Sequence, residues 1–166
     1  MHLKPDAAPV RGSGLSNEII AFLQSGVSIV MAVVGPSGRA IAGRALAVRV
    51  MPDSTIRLIY AQDGNTAVSA SAASGGPIAV TFSAPLSHRT VQIKGFTSRP
   101  EELLPEDQAC LRQQTDAFSA VLRAVSHPPG FVMAFSDYRS STLAVLSFAA
   151  EEAFEQTPGP GAGRML

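Results

Sequence analysis

Apolar positions along this chain follow two rhythms. Alternation with period two, the mark of half-buried strands, runs through most of residues 27–62 and 77–99. A three-to-four spacing, the mark of amphipathic helices, holds at 15–26 and from Pro105 to Val125. "LSNEIIAFLQSG" predicts a short first helix. Ser16 can cap it, Ile19, Phe22 and Leu23 share a face, and Gly26 ends it. Two strands follow, at 27–34 and about 39–51, joined by the turn "GPSG". The turn "MPDS" then leads into a strand at 55–62.

"DGNTAVSASAASGG" is rich in small residues, weakly helical, and closes at Gly75 and Gly76. Strands are expected at 77–84 and 89–99, separated by the loop "PLSH". In the long helix, Leu104, Leu111, Phe118, Leu122 and Val125 recur at sevens, fours and threes, and Pro105 suits the first turn. "HPPG" stops that helix, "FVMAFSD" reads as a short strand, and "STLAVLSFAAEEAF" as a last one. Strands thus come mostly as consecutive hairpins. This excludes the regular strand–helix alternation of a doubly wound sheet and favours an antiparallel barrel with helices outside it.

Composition narrows the function classes. The chain has 166 residues, 46% apolar and 16% charged, which suits one globular domain with a real core. Thirteen basic and thirteen acidic side chains cancel, so neither a nucleic-acid surface nor an anionic membrane is an expected partner. Cys110 is the single cysteine, which excludes an internal disulfide; inside the long helix it reads as apolar filler. The first residues have no apolar core of a secretory signal, and "VSIVMAVV" is too short to span a bilayer. The expectation is a cytoplasmic protein. His2, His88 and His127 are too scattered for a metal site, so no metal is expected.

One strand holds unusual chemistry. "GRALAVRV" (43–50) is apolar except for Arg44 and Arg49, five positions apart. On an ideal strand an odd spacing sends two side chains to opposite faces. A bulge or bend can bring both to one site, where two guanidinium groups would suit a phosphate; otherwise one faces solvent and the other pairs with a carboxylate. Arg39 and Arg57 read as ordinary surface charges. Asn65 and Thr66 sit where a helix should begin, as anion donors or as plain caps. Tyr60 reads as core or as a neighbour of a ligand ring.

The order of elements, with "GRALAVRV", "LIYAQDGNTAVSA" and "GPIAVTFSAPLSHRTVQIKG", resembles the FMN-binding split barrel of the pyridoxamine 5'-phosphate oxidase-like proteins over residues 15–155. The resemblance implies a mainly β fold with α elements: an antiparallel split β-barrel of six or seven strands, short flanking helices and one long helix. Residues 1–14 would be an N-terminal arm and 156–166 a Gly/Pro-rich tail anchored at Phe154. It implies a homodimer with FMN at the subunit boundary and flavin-dependent redox of a small molecule. The implied cofactor contacts are Arg44, Arg49, Tyr60, Asn65, Thr66, Arg89 and Gln92. Catalytic residues are not implied.

Two departures qualify the function. The stretch "NTAVSAS" (65–71) has no Lys or Arg where such proteins place a phosphate partner. The true oxidases of the family carry a C-terminal stretch with Trp and Arg that completes the substrate site, whereas this chain has no Trp and ends in "QTPGPGAGRML", so pyridoxal-phosphate synthesis is not expected. The alternatives on the same fold are a deazaflavin-dependent reductase and a non-enzymatic module for haem or another ligand, with His88 as a candidate haem ligand or merely an exposed loop residue.

Overall fold

The computed structural model describes residues 14–166; the expected N-terminal arm therefore lies outside the described residues except for Gly14. In chain order the elements are α1 (Asn17–Leu23), β1 (Ser28–Val34), β2 (Ala40–Ala45), β3 (Ala47–Val50), β4 (Thr55–Ala61), α2 (Thr66–Ala72), β5 (Pro77–Ser83), β6 (Thr90–Phe96), α3 (Pro105–Ala124), α4 (Pro129–Ser136), β7 (Leu143–Ala149) and β8 (Glu152–Glu155). Ser16 caps α1, its Oγ accepting from the Ile19 N–H at 3.3 Å.

The strands form two antiparallel sheets, one ordered β2-β1-β5-β6-β8 and one ordered β3-β4-β7. The described residues hold eight strands, not six or seven, because two of the expected strands each cross from one sheet to the other midway. The strand expected over 39–51 breaks at Leu46 into β2 and β3. The last strand breaks at 150–151 into β7 and β8. A second correction concerns "FVMAFSD", which forms most of the helix α4 rather than a strand. Pro128 and Pro129 start it, as prolines can where an N–H needs no helical partner.

The inner faces of the two sheets enclose the core. Met31, Val80, Phe82 and Ile93 of the large sheet meet Val48, Ile56, Leu58, Tyr60 and Leu146 of the small one, all fully buried. Gly95 marks where the sheets close: a Cβ there would stand 2.1 Å from the Ala149 carbonyl oxygen. Bridges Thr97–Phe148 and Glu101–Val145 join the sheets at the same corner.

α3 covers the outer face of the small sheet, with Leu111 against Ala47, Ile59 and Val145. Gln114 reaches from α3 to the backbone of β3. Its Nε2 donates to the Val48 carbonyl at 2.6 Å, and its Oε1 accepts from the Val48 N–H at 2.9 Å. This satisfies part of an edge strand that would otherwise be open to pairing. The C-terminal residues fold back on β8. The Glu155 N–H donates to the Arg164 carbonyl, the Leu166 N–H to the Ala153 carbonyl, and Phe154 bridges Met165.

Candidate functional site

The odd spacing of Arg44 and Arg49 is explained at Leu46. Ala45 points into the barrel from β2, whereas Ala47 points outward from β3 toward α3. One residue of slip reverses the alternation, so both arginines leave the barrel interior, but from different sheets. Their sites are separate.

Arg49 joins a cluster under α3. Its Nη1 lies 3.4 Å from Asp107 and 3.9 Å from Glu106. Its cross-strand neighbour is Arg57. Arg57 corrects the expectation of a surface charge: it is 7% exposed and pairs with Asp107 at 2.8 Å and Glu101 at 2.6 Å. Burial is the largest single effect and pushes both carboxyl groups up. The hydrogen bonds and charge of Arg57, together with the hydroxyls of Ser147 and Ser98 at Glu101 and the Leu104 N–H and Arg49 at Asp107, outweigh it, and both acids lie below the usual carboxylate range. Donating to the same acids, Asp107 first, raises Arg57. Asp107 also accepts from the Leu104 N–H at 2.9 Å, tying the start of α3 to the cluster. Every buried polar side-chain atom among the described residues has a partner. Such a self-satisfied network is built for cohesion.

Arg44 is different. It projects from β2 on the outer face of the large sheet and is half-buried, and no carboxylate among the described residues lies within ion-pair distance. Burial without a counter-charge lowers its pKa to about 10. Its Nη2 donates to the Phe135 carbonyl of α4 at 2.8 Å, and the guanidinium lies 3.1 Å over the Phe135 ring centroid. Beside it is a cleft of about 480 Å³ lined by Ala42, Gly43, Gly64, Asn65, Phe135 and others.

Asn65 is buried and its side chain is spent on backbone. Oδ1 accepts from the Arg44 N–H at 3.1 Å, while Nδ2 donates to the carbonyls of Arg44 at 3.2 Å and Ala61 at 2.7 Å. It braces Arg44 rather than offering donors of its own. Thr66 is exposed at the start of α2, which has no side-chain cap. Tyr60 is fully buried in the barrel, with its hydroxyl 2.8 Å from Ser69 Oγ.

Register places Gln92 on the same outer face as Arg44. The row reads Arg44, Val30, Thr81, Gln92, Phe154 across β2, β1, β5, β6 and β8. Gln92 Nε2 donates to Thr81 Oγ1 at 3.3 Å. Arg44 and Gln92 are three strand spacings apart, about 14 Å. The next row is Ala42, Ala32, Ala79, Lys94, Glu152. Val30, Val34 and Phe96 on this face are 47%, 43% and 58% exposed. A groove of about 430 Å³ crosses it, lined by Ala32, Val34, Ala79, Lys94 and Phe96 among others. Arg89 stands elsewhere, paired with Glu18 of α1 at 2.8 Å and lying over the Phe22 ring.

Of the seven expected contacts, the structure thus gathers Arg44, Asn65 and Thr66 at one edge and sets Gln92 along the same face. Arg49, Tyr60 and Arg89 lie apart from them. Sequence reading missed Phe135 and Lys94. The signal for Phe135 was its spacing of four from Phe131, and for Lys94 its place two after Gln92 on an alternating strand. The described residues contain no cluster of metal-ligating side chains and no helix long and apolar enough to cross a membrane.

No protein-family model and no curated protein matches the chain. Solved structures do. HupZ of Group A Streptococcus aligns at 15% identity and TM-score 0.55, covering 90% of this chain and 99% of that one. A candidate pyridoxamine 5'-phosphate oxidase of Lactobacillus delbrueckii aligns at 16% and 0.52, covering 88% and 98%. General stress protein 26 of Bacillus anthracis aligns at 10% and 0.50, covering 90% and 95%. At such identities the likeness is one of fold. The chain has the split-barrel fold of the pyridoxamine 5'-phosphate oxidase-like proteins.

Proposed function

We propose that this chain is a cytoplasmic, homodimeric split-barrel flavoprotein that seats FMN on the outer face of its large sheet and carries out redox chemistry on a small molecule. The observation that carries this reading is Arg44: a half-buried guanidinium with no carboxylate partner among the described residues, at the edge of an exposed apolar face. A desolvated cation favours an anionic ligand, and a guanidinium fits a phosphate. The rest of the face fits a flat heterocycle. Val30 and Ala32 offer apolar area, and Thr81 and Gln92 offer hydrogen-bonding groups at a distance that separates phosphate from ring.

In this reading Arg44 holds the phosphate, Asn65 fixes the backbone of Arg44, and Gln92 orients the ring edge. When bound, the flavin would supply the electron-transfer chemistry. A second copy of the chain packed on the same face would exclude water from it and cover Val30, Val34 and Phe96, which supports the homodimer. The single thiol and neutral composition support the cytoplasm.

One observation favours a second reading, a non-enzymatic binding module: Arg49 is committed to Asp107, so Arg44 would hold the phosphate without a second arginine. The absorbance spectrum of the purified protein separates the readings. Flavin bands support the first. A deazaflavin spectrum would move the chemistry to that cofactor. A Soret band, or a featureless spectrum unchanged by added FMN, would move the reading to the binding module.

A further inference from the structure

His127, Phe131, Phe135 and Arg44 form one continuous stack. His127 lies on Phe131 at 4.6 Å between centroids, Phe131 on Phe135 at 5.5 Å, and the Arg44 guanidinium on Phe135 at 3.1 Å. Phe131 and Phe135, four apart, share one face of α4, and His127, just before the helix, continues the stack. The Phe135 carbonyl that Arg44 engages belongs to the last turn of α4, where helix carbonyls have no partner within the helix.

α4 otherwise rides on α3. Val132 packs against Phe118 and Leu122, and the Ser136 hydroxyl meets that of Ser119. This small cluster is separate from the barrel core. Among the described residues, Arg44 to Phe135 is the hydrogen bond that ties α4 to a strand. Val132 is the buried residue of α4, while Phe131 and Met133 are 44% and 71% exposed. Lifting its Phe135 end breaks the half-buried contact of Phe135 with Phe118, 5.5 Å between centroids, and the Ser119–Ser136 bond, but it need not expose Val132.

Resting on the reading that Arg44 receives a phosphate, we infer that Phe135 is a built-in competitor for that site: a phosphate-bearing ligand binds by displacing the Phe135 carbonyl from Arg44 Nη2, and α4 loosens from the barrel when it does. A phosphate approaching the guanidinium as a two-pronged partner needs the Nη2 donor that the carbonyl holds. The exchange replaces a neutral acceptor with an anionic one, which makes the stronger bond. The apparent affinity is lowered by the fraction of molecules in which the carbonyl is in place. A ligand without phosphate has no such leverage on α4, because it binds both states alike.

Hydrogen–deuterium exchange of the full chain, with FMN as the probe, tests this. The amides of 132–137 are followed in wild type, Arg44→Ala, Phe135→Ala and Phe135→Leu, the last keeping an apolar side chain in place. Fluorescence titration gives the FMN affinity of each. Expected are faster exchange at 132–137 in Arg44→Ala without ligand and faster exchange in wild type on adding FMN. Both Phe135 variants keep the carbonyl but lose the ring that stacks on Arg44 and Phe118 and holds that carbonyl in place, so their FMN affinity should rise about threefold to tenfold. FMN binding to the Phe135 variants but not to wild type would also support the competitor. FMN binding to wild type with unchanged or slower exchange at 132–137 overturns the competition and leaves the FMN site standing. No FMN binding to any form overturns both.

Discussion

Asn65 bonds both backbone groups of Arg44, accepting from its N–H at 3.1 Å and donating to its carbonyl at 3.2 Å. A side chain thereby continues the sheet past the edge strand β2 and fixes the backbone that carries the Arg44 guanidinium at the open cleft. Gly43 makes the contact possible. A Cβ there would stand 2.2 Å from Asn65 Oδ1 and 2.8 Å from Val68 Cγ2. Gly43→Ala should therefore force Asn65 away and cost stability of about 2 kcal/mol, by the loss of buried hydrogen bonds. Asn65→Asp should cost at least as much, since an acceptor would then face two carbonyls. Urea unfolding measures both; midpoints equal to wild type would show the brace to be dispensable.

The Arg57–Asp107 pair should dominate the acid limb of stability. Asp107 and Glu101 lie below the usual carboxylate range in the folded protein. Their contribution is fully present above the unfolded carboxylate values and is lost as pH falls through the lowered ones. Asp107→Asn should lose about 1.5–3 kcal/mol at neutral pH, because buried Arg57 loses one of its two carboxylate partners and keeps Glu101. The variant should also lose less further stability than wild type between neutral and strongly acidic pH. Denaturation at both pH values decides it; parallel losses would contradict the assignment.

The C-terminal residues should act as a clasp on β8. Deleting 156–166 removes backbone bonds from Ala153 and Glu155 and exposes an edge strand. Net values of about 1 kcal/mol per hydrogen bond correspond to a fall in Tm of roughly 5–10 °C for a chain of this size. An unchanged Tm would mean that the clasp contributes nothing.

How much of this was legible in the sequence depends on where sheet and helix contacts decided the outcome. α1, β1, β4, β5, β6 and α3 follow from local periodicity and caps, and the structure has them near the expected bounds. The break at Leu46 has no local signal. Its residues alternate acceptably as one strand, and only the closure of two sheets on each other sets where the chain crosses. In "FVMAFSD", Phe131, Met133 and Phe135 alternate as a strand would, but Val132 is the residue that α3 buries, and tertiary packing selects the helix. Arg57 was legible in hindsight. An arginine within "TIRLIYA", whose other central residues are all apolar, must be buried on one side or the other, and Asp107 one helical face away supplies the partner. The unusual placing of Arg44 in an apolar strand could be read from the sequence; that Phe135 covers its guanidinium could not, since the two are 91 residues apart.

The exposed face of the large sheet should be the dimer contact. Val34→Lys places a charge beside Ala40 in the groove that Phe96 also lines without touching the core, because Val34 is already 43% exposed. The variant should fold with near wild-type Tm and run as a monomer in light scattering, where wild type runs as a dimer. A monomeric wild type at micromolar concentration would remove the proposed dimer.

The central claim is that Arg44 holds the phosphate of FMN, and a flavin fluorescence titration tests it most directly. Wild type should bind FMN saturably and riboflavin, which lacks the phosphate, poorly. Arg44→Ala should weaken FMN by roughly tenfold to a hundredfold, as the loss of a charge-assisted hydrogen bond of about 1.5–3 kcal/mol requires. Arg49→Ala, on the other sheet, should leave FMN affinity within about twofold of wild type, since distant sites act independently. FMN bound equally well by wild type and Arg44→Ala, or riboflavin bound as tightly as FMN, would contradict the account.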